Sequence, residues 1–131
     1  LDVLREKLEF PDLEKAIYSQ KKKWGAGLVI VENTGSGRSV AQNLRQNNRN
    51  TWLQTLAPQG SKQDRASQQS PKFERGEIYL PEEASWLRTF EDELLAFPHG
   101  KHDDQVDSAV QFLAALDTGR LLQLVEAARG R

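Results

Sequence analysis

One short segment constrains the fold more than any other. Gly27-Leu-Val-Ile-Val31 is apolar throughout, β-branched at three positions, and stops abruptly at Glu32-Asn-Thr-Gly-Ser-Gly37. A run of strand length with no polar alternation reads as a strand covered on both faces, as in an α/β sheet. Such a strand needs helices to cover it, and helical spacing is found on either side. Leu13, Ala16, Ile17 and Trp24 recur at helical intervals after the start signal Pro11-Asp12, and Val40, Ala41 and Leu44 mark a second helix beyond the Gly35/Gly37 turn.

Further along, Thr51-Trp-Leu-Gln-Thr-Leu56 is strand-like and stops at Pro58 and Gly60. The Gln- and Ser-rich stretch from Gln59 to Ser70 fits either a loop or a polar helix. Ile78-Tyr-Leu80 reads as a short strand between Gly76 and Pro81. Ala84, Leu87, Phe90, Leu94 and Leu95 predict an amphipathic helix, and another begins near Asp103. After Gly119, the residues Leu121, Leu122, Leu124, Val125 and Ala128 predict a last helix, packed either on the same core or on a partner. Alternating strands and helices give an α/β class. Trp24, Trp52 and Trp86 fall at apolar-patterned positions and are expected in the core.

Chemistry concentrates in Phe97-Pro-His-Gly-Lys-His-Asp-Asp-Gln-Val-Asp107. Asp103, Asp104 and Asp107 precede the helical pattern Val106, Ala109, Val110, Leu113 and Ala114. At ~100° per residue the three carboxylates share roughly one third of the helix circumference. Acidic residues suit a helix N-terminus, and an Asp is a favoured N-cap, which accounts for one or two of them. A divalent cation between them accounts for all three, provided another carboxylate joins from elsewhere. Glu32 is the candidate, because ligand-binding groups in α/β sheets gather beyond the carboxyl ends of strands. Otherwise it is a solvated strand terminus.

Taken together, the strand-end Glu, the Gly-Ser-Gly turn and the His-Asp-Asp-x-x-Asp helix resemble the C-terminal nuclease domain of phage large terminases, the RNase H-like DNA-packaging endonucleases of tailed phages and prophages. The resemblance runs through most of the chain. Leu8-Glu-Phe-Pro-Asp-Leu13 looks like the approach to the family's first helix, Val29-Ile-Val-Glu-Asn-Thr-Gly-Ser-Gly37 like its second acidic motif, and Lys62-Gln-Asp-Arg-Ala66 like a basic helix start. Arg75-Gly-Glu-Ile-Tyr-Leu-Pro81 and Phe97-Pro-His-Gly-Lys-His-Asp-Asp-Gln-Val-Asp-Ser-Ala109 follow in the family's order.

The resemblance implies an RNase H-like mixed sheet flanked by helices over residues 1–118, incomplete at its N-terminus, with 119–131 as a helical tail. The family's first acidic motif, an Asp on the opening strand, has no counterpart here. Leu1-Asp-Val-Leu-Arg-Glu-Lys-Leu8 looks like the last strand of the opening meander, and Asp2 falls on the wrong strand. Without methionine at position 1, the chain reads as a fragment cut inside the nuclease domain, and as a poor nuclease by itself.

By the same resemblance, metal ligands would be Glu32, Asp103, Asp104 and Asp107, with Glu32, Asp104 and Asp107 catalytic and Asp103 alternatively the helix cap. Hard oxygen ligands suit Mg²⁺ or Mn²⁺, two ions in the complete domain. Arg38, Lys62, Arg65 and Lys101 would contact DNA, and His102 would orient a ligand or the attacking water. Implied partners are double-stranded DNA, an N-terminal ATPase domain of the same protein, the portal and the small terminase subunit, in a bacterial host's cytoplasm. A catalytically inactive DNA-binding or assembly remnant, or an RNase H-like resolvase or transposase, are the alternative readings.

Composition excludes other classes. Without cysteine there are no disulfides and no thiolate zinc sites. No apolar run approaches a membrane span, and no signal peptide is present, so the chain reads as soluble and intracellular. Gly35-Ser-Gly-Arg-Ser39 lacks the Gly-Lys-Ser/Thr ending of a phosphate loop. A His-Asp phosphohydrolase needs more histidines than His99 and His102.

The net charge of −1 conceals an asymmetry. Arg38, Arg45, Arg49, Lys62, Arg65, Lys72 and Arg75 face only Asp64 and Glu74 in the middle of the chain, whereas the segment from Gly76 to Asp107 is acidic. A basic middle beside an acidic cluster suits an enzyme that holds phosphates while presenting carboxylates to a cation.

Overall fold

The apolar run forms the first strand, β1 (Val29–Glu32), in a computed structural model that describes residues 2–48, 50–117 and 119–129. Arg49 and the expected boundary at residue 118 lie outside the described residues. Strand β2 (Leu53–Leu56) pairs with β1 in parallel, Val29 opposite Leu53 and Glu32 opposite Leu56. Among the described residues the sheet has these two strands. All four β1 positions are therefore half-buried, not sealed on both faces as the sequence suggested.

The chain divides into two compact units, one holding the sheet and one wholly helical in its regular structure. The strand unit spans residues 5–58 and the last helix. Its helix α1 (Phe10–Trp24) starts with Pro11, whose missing N–H costs nothing in a first turn. It ends at Gly25 in the left-handed conformation (φ 59°), where Gly25 and Ala26 donate back to Lys22 and Lys21. Helix α2 (Gly35–Asn48) joins the two strands. Val40, Ala41, Leu44 and Leu53 form the buried core, with Leu13, Ile17, Val29, Val31 and Trp52 packed around it. Trp52 sits edge-on to Tyr18 at 5.5 Å, with the Lys21 ammonium 5.1 Å from its ring centre.

Several sequence expectations need correction. Residues 2–9 form no strand, and neither do residues 78–80, where Tyr79 is 86% exposed. Neither segment has a ladder partner among the described residues, and an unpaired strand leaves its backbone donors to water. Trp24 is half-exposed, its indole N–H donating to Gln20, because it lies at the last residue of α1. The last helix, α6 (Arg120–Ala128 in the strand unit), settles one alternative: it packs against β2, and Thr51 Oγ1 donates to the Ala128 carbonyl.

Gly35 and Gly37 do not make a separate turn before α2. Gly35 opens the helix with φ 47°, and Gly37 lies in its first turn against the end of β1. A Cβ at Gly37 would come 2.4 Å from the Glu32 carbonyl oxygen and 3.0 Å from Val31 Cγ1. Gly37→Ala should therefore lower stability although alanine is the better helix former by about 1 kcal/mol. Overpacking against a fixed backbone oxygen costs about 1–3 kcal/mol, and urea unfolding with an unchanged slope would measure the net loss.

The helical unit contains residues 59–117 together with 2–4. Its helices are α3 (Lys62–Glu74), α4 (Leu87–Ala96) and α5 (Asp104–Asp117). The Gln/Ser-rich stretch is helix from Lys62 onward. Ser61 caps it in a reciprocal box, its hydroxyl accepting from the Asp64 N–H while the Asp64 carboxylate accepts from the Ser61 N–H. Phe90, Val106, Val110 and Ala115 are its buried apolar residues, with Trp86 edge-on to Phe90 at 6.1 Å.

Candidate metal and DNA site

Asp103 stands where the chain enters α5. Its carbonyl accepts the first helical bond, from the Asp107 N–H, so it occupies the cap position, yet its carboxylate does not cap the helix. That carboxylate instead accepts from Lys62 Nζ at 2.6 Å. The capping is done by Glu93 of α4, whose Oε1 takes the N–H groups of Gln105 and Val106 at 2.7 and 3.2 Å while Oε2 takes the Gln105 side-chain amide. Glu93 is 6% exposed. A carboxylate at a helix N-terminus satisfies orphan donors and the dipole together. In the sequence Glu93 is one of many charges in the acidic segment from Gly76 to Asp107; only the α4–α5 packing reveals its role. In Glu93→Ala, two buried donors should lose their acceptor at a cost of about 1–3 kcal/mol, and amide exchange at Gln105 and Val106 should accelerate before that of the apolar core.

The three aspartates occupy different environments. Asp107 is buried and accepts from both Arg65 Nε (3.1 Å) and Nη2 (2.7 Å) on one oxygen and from Gln111 on the other. Arg65 also donates to the Gly60 carbonyl at 2.7 Å, so each of its three guanidinium nitrogens makes a hydrogen bond. Asp104 is the opposite case, its side chain 92% exposed and 3.6 Å from Lys62 Nζ. Asp103 lies between them in exposure. Hydrogen bonding to Asp103 is the largest cause holding the Lys62 ammonium above its ordinary pKa, with the charges of Asp103, Asp104 and Asp107 adding to it against partial desolvation.

A third rung completes the contact between α3 and α5. Lys72 Nζ donates to Asp117 at 2.6 Å and reaches the Leu113 carbonyl. The Lys72 hydrogen bond is the first cause holding the Asp117 carboxyl below its usual range, followed by a bond from Gln69. Lys62, Arg65 and Lys72 thus meet Asp103, Asp107 and Asp117 in the same order along both helices. Three cations of the basic middle are therefore paired with carboxylates at the start and end of α5. Arg65 in particular is buried, and its reach to a phosphate is spent on Asp107.

In the strand unit, Glu32 ends β1 as expected. Its Oε1 accepts from Thr34 Oγ1 at 2.5 Å, and Arg38 folds back to donate to the Asn33 carbonyl at 3.2 Å. The structure thus gathers Asp103, Asp104 and Asp107 with Lys62 and Arg65 in one unit, and Glu32 with Arg38 in the other. Lys101 and His102 are exposed in the segment before α5.

The residues present suit a hard divalent ion in one respect. Asp103 Oδ1 and Asp104 Oδ1 both point at a single cation, the Lys62 ammonium, and the donors are oxygens. No three His, Asp or Glu side chains form a cage among the described residues, since Asp107 is turned to Arg65. A two-carboxylate site would hold one ion weakly, its remaining positions filled by water.

A family comparison decides what kind of domain this is. The model of the terminase RNase H-like domain matches residues 1–116. The chain belongs to that family. No match was found among curated proteins or among solved structures. The terminase RNase H-like domain thus accounts for the α/β architecture, and its match extends through Asp104 and α5 almost to the end of that helix. No described helix of this terminase domain is long and apolar enough to cross a membrane.

Proposed function

We propose that the chain serves as the nuclease domain of a phage or prophage large terminase, cutting concatemeric double-stranded DNA in a Mg²⁺- or Mn²⁺-dependent reaction during genome packaging. The family match over residues 1–116 carries this reading. Asp104, exposed at the start of α5, is the proposed metal-holding catalytic residue of the helical unit, with Asp103 as a further ligand, and Glu32 is the catalytic carboxylate proposed for the strand unit. A divalent ion held by such carboxylates would supply an activated water and charge stabilisation for phosphodiester hydrolysis. Asp107 supports the site through its bond to Arg65, and Glu93 fixes the turn that carries Asp103 and Asp104. His102, exposed next to the acidic pair in sequence, is proposed to orient a ligand or a water.

Lys101 and Arg38 are the exposed cations proposed to hold DNA phosphates. Reversing both should weaken DNA binding and reduce the log–log salt slope by about one unit for each lost contact. An unchanged slope in a fluorescence titration would remove them from the interface. The ATPase domain, the portal and the small terminase subunit are the proposed partners in the host cytoplasm.

The reading is tested with a polypeptide extended upstream to include the family's first acidic strand. It should nick supercoiled plasmid in Mn²⁺ and stop when the metal is chelated. Absence of metal-dependent nicking by the extended protein, folded and bound to DNA, would overturn it.

A further inference from the structure

The end of α1 sets an exposed indole among cations. Lys21, Lys22 and Lys23 occupy its last turn, and Trp24 is its last residue. Lys22 and Lys23 are exposed, and Trp24 is 53% exposed. The Lys23 ammonium lies 5.2 Å from the centre of the Trp24 ring, while Lys21 stands over Trp52. Between residues 15 and 31 the chain has no Asp or Glu. Residues 25–28 lead from this cluster into β1, so it lies at the start of that strand. Glu32 lies at the other end, about 10 Å further along the extended chain.

Cations in a last helical turn suit the macrodipole, and that accounts for the charge. It does not account for the ring. The Trp24 indole N–H is already satisfied by Gln20 Oε1 at 3.2 Å, so what the side chain offers outward is apolar ring surface. We propose that Lys22, Lys23 and Trp24 form a contact for unpaired nucleic-acid strand, its phosphates on the two lysines and one base stacked on the indole. Choosing a nucleic acid over another polyanion rests on the nuclease reading, but the contact itself needs no metal ion. A duplex keeps its base faces stacked on one another, so it engages the lysines and leaves the ring without a partner. An anionic membrane calls for a broad apolar helix face, whereas Leu13 and Ile17 of α1 are packed on the core. Such a contact retains a strand that has come unpaired near a break, at the end of the sheet opposite Glu32.

The test is binding of a short labelled oligo(dT) to the whole chain in chelator, read by fluorescence anisotropy, with a duplex of equal length alongside. Trp24→Ala should weaken oligo(dT) binding about tenfold and leave duplex affinity within about twofold, while Trp24→Phe, which keeps a stacking ring, should lose about threefold at most. Lys22→Gln/Lys23→Gln should flatten the log–log salt slope for oligo(dT) by about 0.7 for each lost contact. No loss in Trp24→Ala, or an equal loss on strand and duplex, would overturn the proposal. Binding to phosphatidylserine vesicles in place of oligo(dT), lost in the same variants, would assign the surface to lipid and overturn it too. Should Trp24→Ala not fold, acylation of the unaltered protein decides the matter. Oligo(dT) should shield Lys22 and Lys23 relative to Lys15, and an unchanged ratio would sink the contact. Failure here leaves the nuclease reading standing, because neither metal nor cutting is involved. Absence of nicking by the extended protein, with oligo(dT) still held through Trp24, would fell that reading and leave this contact in place.

Discussion

Asp104→Asn should cost the upstream-extended protein about 100-fold or more in Mn²⁺-dependent nicking, while its urea midpoint stays within a few tenths of a molar of the parent. The side chain is 92% exposed and has no hydrogen bond among those of the described residues, so folding asks little of it. Its location at the first residue of α5 matters only if a cation comes to it. Glu32→Ala should show a nicking loss of the same order. A fall in nicking with no fall in stability would separate chemistry from folding at both positions. If Asp104→Asn nicks at the parental rate, the carboxylate is a solvated helix terminus and nothing more.

Asp107, three residues along the same turn, should behave in the reverse way. Arg65→Ala or Asp107→Ala leaves a buried charge without its partner, and such truncations cost about 3–5 kcal/mol. The pair is about as enclosed as any ion pair in the unit, at 9% and 6% side-chain exposure, and Gln111 and the Gly60 carbonyl complete its bonding. The double replacement Arg65→Met/Asp107→Leu, which removes both charges, should recover much of that loss. Chemical denaturation of the parent, Arg65→Met, Asp107→Leu and the double variant forms a double-mutant cycle. A cycle with no coupling, or single variants as stable as the parent, would show that the ion pair does not hold α3 to α5.

This separation of neighbouring aspartates was not legible in the sequence. Helical spacing brought Asp103, Asp104 and Asp107 together at the start of one helix, which begins at Asp104. What each carboxylate faces depends on α3, and α3 was hidden by its own composition. Its run of Gln, Ser and charged residues has no apolar stripe to betray a helix, although Ser61 and Asp64 had the spacing of a capping pair. The sign of each charge could be read, and so the basic middle was assigned to phosphate. The pairing could not be read, and pairing is what buries Arg65. Strand β1 and its terminal Glu32 were visible because a continuous branched apolar run has few other uses. The strand at residues 78–80 was misread for the opposite reason. Three apolar residues satisfy local propensity, but a strand also needs a neighbour.

The three rungs between α3 and α5 carry a consequence for how two segments so distant in the chain find each other. The paired residues are 41, 42 and 45 positions apart, an uneven series. An even ladder could be matched again after sliding one helix along the other by a turn. This one cannot, because its rungs are unequally spaced along each helix and a shift by a turn does not bring all three pairs back into register. Apolar side chains such as Val106 and Val110 would tolerate several alignments of the two helices. The charges behave like the notches of a key, admitting a single alignment, and with it a single location for the exposed aspartate at the head of α5.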